Sequence, residues 1–97
     1  MSFELGEILV TRTVYDKMKV DKVFRKEVYE SLERYKSKDW GETCKTSIKH
    51  NRIALQYGNC FIFAAYYVTE VIWIITNEYR SRTTIMFRDE YSVKLLK

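Results

Sequence analysis

CFIFAAYYVTEVIWIIT, residues 60–76, decides how this chain folds. Its aromatic and β-branched residues favour extended backbone, and the three residues 68–70 between its two halves suit a tight reversal. The stretch predicts strands over 60–67 and 71–76. VIWIIT is apolar at nearly every position, the pattern of a central strand covered on both faces. A third extended run at 83–87, reached through the short link 77–82, completes an antiparallel meander.

Upstream the hydrophobic period changes from two to 3.6. Val20, Phe24, Val28 and Leu32 step by four and Tyr35 closes the stripe, which predicts an amphipathic helix over 22–37. Lys22, Lys26, Glu30 and Glu33 fall on its outer side, and Asp21 is a good N-cap. Thr13-Val14-Tyr15-Asp16 fits a capping box that opens a shorter helix before the break. Gly41 interrupts the pattern. A further helix is expected over 42–57, with Cys44, Ile48, Asn51 and Leu55 on one face and Gly58-Asn59 as its stop. LGEILVTR, 5–12, reads as a short strand at the sheet edge, and the final SVKLLK as a further edge piece or a frayed end.

The expected fold class is therefore α+β: two or three helices packed on a small antiparallel sheet, with the meander in the C-terminal half. No proline, glycine-rich loop or repeat marks a linker, so 1–97 is read as one domain. Thr69 and Glu70 interrupt the largest apolar run, which leaves too few residues for a membrane span of about 20. MSFELGE lacks the basic start and apolar stretch of a signal peptide, so a cytoplasmic location is expected.

The net charge of +4 is concentrated in 15–38, where eight basic residues are interspersed with five acidic ones. Such mixing reads as a solvated basic surface; it permits a polyanionic partner and argues against an acidic mimic of DNA. Cys44 and Cys60 lack zinc-ligand spacing and read as buried thiols, so no metal and no cofactor is expected.

DWGETCKTSIKHN, 39–51, contains the only histidine and one of the two cysteines. Six helical residues put Cys44 and His50 roughly 120° apart, too far round the helix for a nucleophile and its base. His50, between Lys49 and Arg52, is expected to face solvent. No GxSxG, HExxH, Walker loop or GxGxxG is present, and the chain is read as a non-enzyme with no catalytic residue.

Asp39-Trp40-Gly41, Asn51 with Ala54 and Leu55, Ile72 to Thr76, Arg80-Ser81 with Thr83-Thr84, and Glu90-Tyr91 together form a pattern running from about Leu5 to Tyr91. It resembles a family of small, largely uncharacterised proteins of phages, plasmids and integrative elements of Firmicutes, loosely called plasmid-related. This chain departs from that pattern at Tyr79, where an acid is usual, and at Arg88, where a proline is usual. The resemblance implies a mobile-element accessory protein. Proteins of that niche include stoichiometric inhibitors of host defence, anti-CRISPR proteins among them, whose partner is a host protein or ribonucleoprotein effector complex.

Asp39 is expected to cap the following helix and Trp40 to pack over the core. Tyr79, Arg80 and Arg82 are placed on a hairpin tip, where an exposed aromatic beside arginines can anchor a protein interface or stack on nucleic acid. The competing reading is that Arg80 braces the turn or pairs with Asp39. With Arg88 and the helix lysines Lys22 and Lys26, these are the candidate partner-binding residues. A nucleic-acid-binding accessory protein is the alternative function, a small metal-independent nuclease the third, and eight tyrosines with an apolar sheet leave room for a homodimer.

Overall fold

The computed structural model describes residues 3–90. Along the chain run β1 (Glu7–Val10), α1 (Arg12–Val20), α2 (Lys22–Lys36), α3 (Lys45–Tyr57), β2 (Ile62–Tyr67), β3 (Val71–Thr76) and β4 (Arg82–Phe87). The fold is α+β, with the meander where the extended pattern placed it. SVKLLK lies outside the described residues.

β2 pairs antiparallel with β3 from Ile62↔Thr76 to Tyr67↔Val71, and β3 pairs antiparallel with β4. β1 joins the far side of β4, giving the order β1-β4-β3-β2, and there it runs parallel, Glu7 opposite Arg82 and Val10 opposite Ile85. The sheet is thus mixed, its antiparallel part being the meander. Parallel neighbours need a long crossover, which the helices and the β2–β3 hairpin supply.

Asp21 caps α2 as expected, its carboxylate accepting from the Phe24 N–H at 3.0 Å. Phe24, Val28, Leu32 and Tyr35 are buried, whereas Val20 ends α1 and is 84% exposed. The break at Asp21 takes Val20 off the stripe. The cap of α1 is Thr11 rather than Thr13, since the helix already begins at Arg12. Thr11 and Thr13 donate to the two carboxylate oxygens of Glu90, which follows β4, and Thr11 also accepts from Val14 N–H. α3 starts at Lys45 with Cys44 as its cap residue, so Asp39 does not cap it. Gly58, in the left-handed region at φ 68°, ends it as read.

All three helices send buried residues into one cluster with Ile62, Ala64, Tyr66, Ile72, Ile74 and Ile85 of the sheet. A chain of hydroxyls crosses this core: Tyr35 contacts Thr76 at 2.7 Å, Thr76 contacts Thr83 at 2.8 Å, and Thr83 donates to the Leu5 carbonyl at 2.7 Å. With a further contact of 3.2 Å from Tyr35 to the Ile62 carbonyl, three protons serve four contacts, and the Tyr35 proton is shared.

Ile72, Ile74 and Thr76 of β3 are buried under the helices, while Val71, Trp73 and Ile75 are only half-buried on the opposite face. The expectation of a strand covered equally on both faces is corrected. Among the described residues α1 and α2 pack across one face of the sheet and α3 lies along β2, which leaves the other face without a helical layer.

The free edge of β2 is closed by side chains and loop. Asn51 of α3, fully buried, takes the Phe63 N–H at 3.0 Å and donates to the Phe63 carbonyl at 2.6 Å. Thr43 Oγ1 accepts from Ala65 N–H, Glu42 N–H donates to the Ala65 carbonyl, and the Glu42 carboxylate accepts from Tyr67 N–H. Gly41 makes that approach feasible: at φ +61° a Cβ there would lie 2.6 Å from the Tyr66 ring and 2.8 Å from the Ala65 carbonyl oxygen.

Candidate functional site

On the sheet face away from α1 and α2, the alternation that buries Ile62, Ala64 and Tyr66 turns Phe63 outward beside Ile75, its register partner on β3. Trp73, one step along β3, packs edge-on against Phe63 with ring centroids 4.8 Å apart. Phe61, just before β2, and Tyr79, in the β3–β4 turn, extend this aromatic surface; both are exposed, Tyr79 at 79%. Together these five side chains line a concavity of about 710 Å³ between the hairpin tip and the first turn of α3. Glu78 is the one charged side chain among the described residues of its wall.

Arg80 holds this tip in place. It sits at φ +56°, and its guanidinium donates to the carbonyls of Cys60 (2.7 Å), Asn77 (3.0 Å), Glu78 (3.2 Å) and Ala54 (3.1 Å). One side chain thereby ties the β3–β4 turn to the end of α3 and to the entry of β2. Asn77 completes the turn: its amide carbonyl accepts from the N–H groups of Ser81 and Arg82, and its amide nitrogen donates to the Ser81 hydroxyl. Of the two readings of Arg80, the geometry matches the brace. Its partner is not Asp39, which is held by Arg34 through two contacts of 2.8 and 3.1 Å.

The six candidate residues fall in three places. Tyr79, Arg80 and Arg82 share the hairpin tip, Arg82 being exposed at the start of β4. Arg88 lies beyond the other end of that strand, about 20 Å along at strand rise, beside Asp89. Lys22 and Lys26 are exposed on α2, in the layer on the opposite side of the sheet. They do not form one surface with the tip.

Neither thiol is buried, which corrects that expectation. Cys44 lies at the start of α3 with its Sγ 3.4 Å from Ser47 Oγ; the Ser47 hydroxyl and the N–H groups of the first turn stabilise the thiolate and hold its pKa below the usual thiol value. Cys60 lies in the wall of the concavity. His50 is half-buried rather than turned to solvent. Its ring packs tilted against Phe61 with centroids 4.9 Å apart, and Nε2 is shielded with no hydrogen-bond partner among the described residues. Neither cysteine is hydrogen-bonded to it. Among the described residues, no group of three or more His, Cys, Asp and Glu side chains converges as metal ligands would.

Phe61, Phe63, Trp73 and Ile75 are not among the candidates from sequence, because the uniformly apolar β3 pattern reads as a strand covered on both faces. The signal was present in Phe63, Ala65 and Tyr67, an alternating set opposite the one that faces the helices. No protein-family model, curated protein or solved structure matches this chain. No helix among the described residues is long and apolar enough to cross a membrane.

Proposed function

We propose that this protein acts by stoichiometric binding to another protein, as a mobile-element accessory factor that inhibits a host defence complex in the manner of anti-CRISPR proteins. The observation that carries a protein partner is the composition of the concavity. Five aromatic or aliphatic side chains from β2 and its entry, β3 and the braced turn surround it, and its one charge among the described residues is the Glu78 carboxylate. Aromatic anchors on a rigid scaffold are the usual centre of a protein interface. A phosphate backbone needs cations, and the wall of this concavity holds neither lysine nor arginine among the described residues. The complementary surface is an apolar side chain next to a lysine or arginine.

The test is affinity capture with the full chain from a bacterial host carrying CRISPR systems, after nuclease treatment. Phe61→Ala and Tyr79→Ala, both at exposed positions, should each reduce capture of a defence complex while leaving the circular dichroism unchanged. Capture equal to wild type with both replaced would refute the assignment. Binding that survives those changes, needs nucleic acid, and falls steeply with salt would favour the nucleic-acid alternative.

A further inference from the structure

The two edges of the sheet are finished in opposite ways. On β2 the outward groups of Phe63 and Ala65, and the Tyr67 N–H, are all engaged. On β1 the N–H groups of Glu7 and Thr11 turn inward, to the carbonyls of Ser81 (2.9 Å) and Ile85 (3.1 Å). Strand alternation therefore directs the N–H and C=O of Ile8 and Val10 away from the sheet. Among the described residues these four groups have no hydrogen-bond partner. An unpaired edge of this kind is a template for another strand.

Beside it lies a groove of about 390 Å³ between β1 and the first two helices. Val10 and Val28 belong to its floor, and Tyr15 and Tyr29, exposed at 50% and 59%, stand at its rim. Lys19 and Arg25 are the charged side chains along it, and neither is paired with an acid among the described residues. The Lys19 ammonium lies over the Tyr15 ring, 5.2 Å from its centroid, which fixes the cation at the rim. This groove is at the opposite edge and on the opposite face of the sheet from the aromatic concavity.

We propose that β1 is an acceptor edge for strand addition, taking from a partner protein an extended segment that carries apolar residues and acids on one face. The Ile8 and Val10 backbone supplies the ladder, the groove takes the apolar side chains, and Lys19 and Arg25 meet the acids. Charge selects this occupant over a second copy of the chain. Pairing β1 with itself would bring two sets of Lys19 and Arg25 together, on a helical layer that already carries the basic excess of the molecule.

The probes are labelled eight-residue peptides, threonine-valine-threonine-glutamate repeated twice and its twin with lysine for glutamate, titrated against the full chain by fluorescence anisotropy. The glutamate peptide should bind about tenfold or more tightly than its twin, and Lys19→Glu with Arg25→Glu should reverse the order. Methylating the peptide nitrogens of one edge should abolish binding, and methylating those of the other should not. Ile8→Pro removes an outward donor without touching the β1–β4 ladder, and should abolish binding. If that variant does not fold, the methylated peptides on the wild-type chain decide. No saturable binding, equal affinity for both peptides, or indifference to both methylation patterns would overturn the proposal. So would a dimer in sedimentation that Ile8→Pro dissociates, which would make a second copy the occupant.

Discussion

Replacing Asn51 by leucine removes one side chain but leaves two backbone groups without partners. The amide of Asn51 meets the Phe63 N–H at 3.0 Å and the Phe63 carbonyl at 2.6 Å, and the residue is fully buried. Leucine fills nearly the same space, so little of the effect comes from a cavity. An unsatisfied buried donor or acceptor costs about 1–3 kcal/mol, and Phe63 retains some access to water. The two together should cost about 3 kcal/mol, a large share of the 5–15 kcal/mol typical of a domain. In a domain of this size that loss lowers Tm by roughly 12–24 °C. Urea unfolding followed by far-ultraviolet circular dichroism measures it, with an unchanged slope showing that the native state stays compact.

Asn51→Asp adds a second reading. A carboxylate there still accepts from the Phe63 N–H but faces the Phe63 carbonyl, so at neutral pH it should be at least as damaging. Burial and that carbonyl would raise the folded-state pKa of the new group. Protonation restores a donor, and the gap from wild type should narrow as pH falls. A loss below about 0.5 kcal/mol for Asn51→Leu would refute the claim that pairing the Phe63 backbone stabilises the fold. Retained stability together with new aggregation would show instead that its role is confined to blocking strand addition.

Tyr35 and Tyr66 should remain protonated in an alkaline titration at 295 nm after the exposed tyrosines have ionised, because burial raises both pKa values well above normal. Since the folded state holds those protons more tightly, their contribution is complete below the unfolded value near 10 and is lost as pH rises above it; loss of structure should accompany their ionisation. Cys44 should be alkylated by iodoacetamide faster than Cys60 at neutral pH, measured by peptide mass spectrometry, and Ser47→Ala should reduce its rate.

Wherever one element carries its own signal, the sequence was legible. The four-residue step from Phe24 to Leu32 needs only a helix with one covered side, and Asp21 and Gly58 terminate helices through local backbone chemistry. The errors fall where a distant partner decides. Thr13 resembles a cap as much as Thr11 does, and both hydroxyls are bonded to Glu90, more than seventy residues away, a contact that local spacing does not announce. Cys44 has helical spacing to Ile48 and Asn51, yet α3 begins after it because 41–43 are held against β2. The direction of β1 depends on how the crossover returns. Trp73 and Ile75 are as apolar as Ile72 and Ile74, and only the number of helical layers separates the covered face from the uncovered one.

The residues quoted for the resemblance are, in this structure, mostly fastenings. Asp39 accepts from Arg34 and from the Gly41 N–H, Trp40 packs across Tyr35 with ring centroids 5.6 Å apart, and Gly41 lets the chain approach Tyr66. Arg80 braces a turn and Thr83 completes the hydroxyl chain. A pattern built on such positions describes how the chain folds, and another protein could keep all of them while binding something else. On the two proposals made above, specificity would rest with side chains that fasten little: Phe61 and Tyr79 at the concavity, and Lys19 and Arg25 beside the open edge. The two surfaces are separable for the same reason, since exchanging the charges at one leaves the aromatic wall of the other unaltered.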